Sequence, residues 1–408
     1  MARVAAKSES ASEETAFQVR QAIGEESVVV EEPLFLDEDG VYEPSCDSAC
    51  CCADPCGCPP CNGFGGGLWV NLDFLLWWRD RREFPALVTT TPDPNPNPAD
   101  VLFGGAVDEP ARPGGRLEVG LWLDPWQRTA IGGRYLAVGD ATISPKWSSD
   151  DGLPFIARPF TDVSTNPVTP TAFPIANNSA VPPTTGRIGI NSGSEVYVSD
   201  AFFYWTLLRS PCHSFGFQAG YQFARINEDL VIDSFTRRDL GNNKFESYAV
   251  TDLFDANNEF HGGHFGLRGD YRCGRFGVEM LARFAFGNMR QTVNVAGATI
   301  TTDVDGGTDE RDYGLLAQAS TNGGLHLQND FSFMNEAGIK LAFYPVEHLK
   351  LSVGYSLLHW SSVVRPGGHL DTSVDGVPSP ADATRPAFAF NPSDYIVQGL
   401  NFGAEFRF

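Results

Sequence analysis

From Leu68 to the end of the chain, apolar and polar residues alternate with a period of two, in stretches separated by segments rich in Pro, Gly, Asn and Asp. Successive side chains of a strand point to opposite sides, so this period marks strands with one apolar and one wet face. In the first stretch Leu68, Val70, Leu72, Phe74, Leu76 and Trp78 share one face, and Asn71, Asp73 and Arg79 share the other. The apolar face runs on for about eleven residues, the length that crosses a bilayer at a tilt and about twice that of an average soluble strand. Nine further stretches repeat the pattern, at 117–123, 131–137, 195–208 (the least regular), 215–223, 260–271, 276–286, 337–343, 349–357 and 396–408.

The spacing of these stretches predicts their order in space. Short connections at 124–127, 209–214, 272–275 and 345–348 alternate with long ones at 80–114, 139–194, 227–259, 288–329 and 364–394. Short turns at one end and long loops at the other are the signature of a transmembrane β-barrel, with the turns periplasmic and the loops extracellular. The expected fold is therefore all-β: a closed antiparallel transmembrane barrel over 68–408, of ten strands, with both termini periplasmic. An even strand count closes the sheet and removes the edges that lipid could not satisfy. No apolar run approaches eighteen residues, so a helical span is excluded.

Composition changes the picture at the N-terminus. Residues 1–67 hold thirteen acidic side chains against Arg3, Lys7 and Arg20, which predicts a solvated tail outside the barrel. Met1 to Val30 show no basic stretch followed by a continuous apolar run, so the export signal expected of such a barrel is not legible there. The formal charge of -22 excludes nucleic acid as a partner. Outer-membrane lipid is the partner that the apolar faces imply.

The polar faces carry Asp73, Glu118, Asp124, Asp270, Glu279, Glu336 and Glu405 against Arg79, Arg116, Arg134, Arg268, Arg283, Lys340 and Arg407. The two signs balance. In a small barrel the interior is just wide enough for side chains to fill, so these groups are expected to pair into a ladder that leaves a narrow or closed lumen. A general porin is the alternative reading, and an enzyme with a site in the rim loops or a secreted soluble sandwich follows it. No histidine sits in a catalytic motif, and no cofactor or metal is expected. His261 and His264, three apart on a strand, point to opposite faces, and the acidic run 303–310 lacks the ligand spacing of a calcium loop.

Cys46, Cys50, Cys51, Cys52, Cys56, Cys58 and Cys61 fit no standard zinc spacing, and disulfides within the tail or to an envelope partner are the expected use. Cys212 and Cys273 fall in two of the tight turns and are candidates for a disulfide with each other. Trp77, Trp78, Trp126 and Trp360 lie near strand ends, where barrels carry aromatic girdles.

Five segments together resemble the planctomycete outer-membrane β-barrel family. They are Trp69 to Trp78 (WVNLDFLLWW), Gly114 to Pro125 (GGRLEVGLWLDP), His261 to Arg268 (HGGHFGLR), Gly354 to Gly367 (GYSLLHWSSVVRPG) and Gly399 to Phe408 (GLNFGAEFRF). The resemblance spans about 68–408 and implies architecture and location, with no reaction attached. The ending, with Phe402, Phe406 and Phe408 on one face, also looks like the signal that bacterial barrel-assembly machinery reads.

Overall fold

The computed structural model describes residues 67–91, 100–242, 244–378 and 380–408, so all of the expected tail except Gly67, with its seven cysteines, lies outside the described residues. The chain then runs β1 (Leu68–Arg79), β2 (Arg82–Thr89), β3 (Val101–Val107), β4 (Arg112–Trp122), β5 (Thr129–Val138) and β6 (Lys146–Ser149). It continues through β7 (Ile156–Asp162), β8 (Thr169–Ala176), β9 (Thr184–Asn191), β10 (Ser194–Arg209), β11 (His213–Asp239) and β12 (Phe245–Cys273). The last six are β13 (Phe276–Thr302), β14 (Thr308–Arg311), β15 (Gly324–Val346), β16 (Leu349–Val363), β17 (Ser373–Val374) and β18 (Ser393–Arg407).

Ten of these strands form a closed antiparallel ring in the order β1, β4, β5, β10, β11, β12, β13, β15, β16, β18 and back to β1. Each of the ten is one of the stretches that the period-two pattern marks. The apolar faces point outward, as Leu72 and Phe74 do at 52% and 53% exposure, and the alternate positions point into the ring.

Two of the expected long loops are not loops. The stretches 227–259 and 288–329 are largely strand: β11 and β12 run on past the apolar band and stay paired up to Asp239 and Phe245, and β13 and β15 extend beside them. The reason lies in the phase of the alternation. Within the band the odd positions of β11, such as Phe217 and Phe223, are apolar and face out; beyond it the even positions Leu230 and Ile232 are apolar and buried inward, while Asp233 and Arg237 face out. β12 and β13 switch likewise at Phe254, Ala256, Val293 and Val295. The strand goes on while its oily face moves from lipid to a protein core.

That core has a second wall. The connections 80–111, 139–193 and 364–392 supply a five-stranded sheet of β2, β3, β7, β8 and β17. Its Phe84, Leu87, Val88, Phe103 and Ile156 pack with Leu230, Ile232, Phe254 and Val295 of the extended strands. At the opposite end the ring strands are joined by tight turns, and Asp124 holds one of them by accepting the N–H groups of Arg128 at 3.0 Å and Thr129 at 2.7 Å. Asp124 therefore leaves the expected ladder: it follows the end of β4 and caps a turn.

Candidate functional site: the lumen

The lumen is filled in layers. All ten ring strands contribute to a belt of polar side chains in its half nearer the tight turns. Asp73 of β1 accepts from Arg116 Nε of β4 at 2.7 Å and from Lys340 Nζ of β15 at 2.8 Å. Asp200 of β10 accepts from Arg134 Nε at 2.7 Å and from Arg283 Nη1 of β13 at 2.9 Å. Glu118 and Arg268 of β12 pair at 2.9 Å. Lys350 of β16 bonds both Glu279 and Glu405 of β18, and Arg407 joins Glu405 at 2.7 Å. β11 adds Gln218 and Gln222, both fully buried.

One contact fixes how much room is left. Arg134 of β5 reaches Glu336 of β15 through two bonds of 2.5 and 2.8 Å. β5 and β15 are five places apart in the ring of ten, so this bidentate pair spans the diameter. Both side chains are 1% exposed, and Arg283, 3.5 Å from Glu336, is completely buried. Ion pairs at this depth are strong only because each charge finds several partners, since the desolvation of a lone one is not repaid.

Above the belt lies an apolar layer including Trp77, Trp360, Phe260, Met289 and Leu358, all fully buried. The Trp77 indole donates to Asn401 at 2.7 Å, which ties the two layers together. Trp77 and Trp360 were expected in a lipid-facing girdle and are instead lumen residues; Trp78 faces out beside Tyr355, with ring centroids 6.0 Å apart, and Trp126 is 70% exposed. Higher still, Glu109 binds Arg79 at 2.9 Å together with Arg82 and Arg112, and Glu228 binds Arg79. Arg365, bonded to Asp80 at 2.7 Å, completes this cluster. Arg79 thus serves the seam between ring and capping sheet, away from the belt. Below the belt, at the tight-turn mouth, a cavity of about 300 Å³ remains.

The other expected residues fall as follows. Asp270 faces inward and accepts from the Ser214 hydroxyl at 3.0 Å. Cys212 and Cys273 are not joined by a disulfide, although their turns are adjacent and the Arg272 N–H donates to the Cys212 carbonyl at 2.7 Å. Phe402, Phe406 and Phe408 share the outer face at 45%, 41% and 64% exposure. His261 faces out to the Tyr221 hydroxyl at 2.7 Å and His264 faces in. Sequence reading missed Asp200, because β10 carries apolar residues on both faces, with Val198 and Phe202 buried and Phe203 and Trp205 exposed. It also missed Glu109, which lies in a connection with no strand periodicity to mark it.

A closed ring of ten antiparallel strands, apolar outside and filled with charge pairs inside, defines a porin-type β-barrel. The chain belongs to the family described as putative beta barrel porin-7 (BBP7), whose model matches residues 69–408. No curated protein matches the sequence. Among solved structures it is similar to the outer membrane protease OmpT from Escherichia coli, at 11% identity and a TM-score of 0.39 over 84% of this chain and 97% of that one. It is also similar to the TodX deltaS2S3 mutant monoaromatic hydrocarbon channel, at 9% identity and a TM-score of 0.21 over 84% and 90%. A Pseudomonas aeruginosa FadL homologue follows at 8% identity and a TM-score of 0.21 over 84% and 89%.

Proposed function

We propose that this protein is an integral barrel of the bacterial outer membrane whose lumen is closed, and that it acts as a structural, surface-presenting element and neither as a general diffusion pore nor as an enzyme. The Arg134–Glu336 pair across the diameter is the observation that carries this reading. A hydrated solute would have to separate that pair and then displace the Trp77 and Trp360 layer, so passive flow is blocked twice. In this reading the tight turns and both termini are periplasmic, the extended strands and capping sheet are extracellular, and Phe402, Phe406 and Phe408 present the last strand to the assembly machinery. The alternating connections and the outward apolar band support that orientation.

Reconstitution into planar bilayers tests the closed lumen. The refolded chain should give no steady ohmic steps in molar salt, with heat-modifiable gel mobility confirming that it is folded. Reproducible, long-lived steps from the folded protein would make it the general porin that the family's description suggests.

A further inference from the structure

The cavity at the tight-turn mouth has two kinds of wall. One is aromatic. Trp69 and Trp122 lie with ring centroids 5.2 Å apart, and Tyr204 meets Trp122 edge-on at 5.7 Å. These rings lie against the ring wall because glycines leave them room: a Cβ at Gly120 would stand 2.0 Å from the Trp69 ring, and one at Gly216 would stand 2.2 Å from the Tyr204 hydroxyl. Trp69 and Tyr204 are thus packed into the wall at 7% and 4% exposure, and Trp122, half-buried against them, is the ring left to face the cavity.

The other wall is cationic. Eight Arg and Lys side chains line the cavity against four carboxylates. Six of the eight belong to the ion pairs of the belt, which leaves Arg209 and Arg272. A bulge between Thr206 and Leu208 brings Arg209 into register with the inward-facing Ser214. Its guanidinium bonds the Gln127 side-chain oxygen at 2.5 Å, and that of Arg272 donates to the Gly274 carbonyl at 3.1 Å and lies 4.1 Å from the Tyr344 ring centroid. Among the described residues no carboxylate forms a salt bridge with either. At the inner end Arg116, whose side chain is only 5% exposed, has an Nη2 with no hydrogen-bond partner among the described residues.

We propose that this vestibule binds a small aromatic anion, a one-ring carboxylate whose ring lies against Trp122 and whose charge is directed toward Arg209 and Arg272. A volume of about 300 Å³ admits a ligand of that size. The ring gains an offset or edge-on aromatic contact, and the two guanidiniums offer the donors that a carboxylate takes best. A neutral ring forgoes the second contribution, and a cationic ring is repelled.

The experiment uses the full chain refolded in detergent, with 4-fluorobenzoate, 4-fluorobenzyl alcohol and 4-fluorobenzylamine titrated by fluorine NMR. The benzoate should bind saturably, and the alcohol and amine at least about tenfold more weakly. Arg209→Gln with Arg272→Gln should weaken the benzoate about tenfold and leave the alcohol unchanged. Trp122→Leu should weaken both benzoate and alcohol, and Trp126→Leu, on the exposed turn outside the cavity, neither. Heat-modifiable mobility confirms that each variant is folded. The proposal is overturned if the folded wild type shows no saturable benzoate binding, if the alcohol binds as well as the benzoate, or if the double variant binds like wild type. Displacement by inorganic phosphate as effectively as by unlabelled benzoate would also overturn it, because the aromatic wall would then have no part.

Discussion

Replacing Glu336 by alanine asks directly whether the belt is a set of coupled charges. The Glu336 carboxylate is 1% exposed, holds Arg134 through two bonds of 2.5 and 2.8 Å and lies 3.5 Å from Arg283. Without it both guanidiniums compete for Asp200, which already accepts from each. One buried positive charge is then left over, and breaking a buried pair in this way costs about 3–5 kcal/mol. The exposed Arg225–Glu259 pair, at 47% and 25% side-chain exposure, gives the contrast: Glu259→Ala should cost about 0–1 kcal/mol. Replacing both partners, Arg134→Met with Glu336→Leu, leaves Arg283 and Asp200 as a balanced pair, so the double variant should be more stable than Glu336→Ala. The assay is reversible urea unfolding of protein refolded in lipid, followed by tryptophan fluorescence. A cost for Glu336→Ala as small as that for Glu259→Ala would refute the coupled belt, as would a double variant less stable than the single one.

Other outcomes follow from the same geometry. Met280 faces outward at 55% exposure and Leu281 lines the cavity, so Met280→Arg should cost about 2–4 kcal/mol in lipid and Leu281→Arg less; the reverse order would invert the faces of β13. Burial holds the His369 imidazole below its ordinary value of 6.5, against an opposing bond to the Ala389 carbonyl. The folded capping segment therefore favours neutral histidine, and its stability, full above that value, should fall as the pH drops below it. Limited proteolysis of 366–392 should accelerate at about pH 5 in wild type but not in His369→Phe, and a pH-independent rate in wild type would count against this. An epitope inserted at Val181, 92% exposed in the connection between β8 and β9, should be accessible on intact cells; detection only after permeabilisation would reverse the orientation.

What depends on a strand's own two faces was legible in the order of residues alone. Because side chains alternate strictly along a strand, the outward row Leu68, Val70, Leu72, Phe74 and Leu76 announced both the secondary structure and the apolar solvent it meets, and ten such rows announced the number of strands in the ring. The inward positions of Asp73, Glu118, Arg134, Arg283 and Glu336 followed from the same alternation. Partners were another matter. Arg134 and Glu336 are separated by 202 positions and meet only because the closed ring sets their strands on opposite sides, with four strands between them either way round. Tertiary structure likewise decided that Trp77 and Trp360 fill the lumen and do not ring the membrane, since a tryptophan near a strand end suits either side. It decided that 227–239 and 245–259 are strand, because the alternation there changes phase when the apolar face turns from lipid to the capping sheet, and no local signal tells that change from a loop. A strand's faces are local, and what each face touches is a property of the closed sheet.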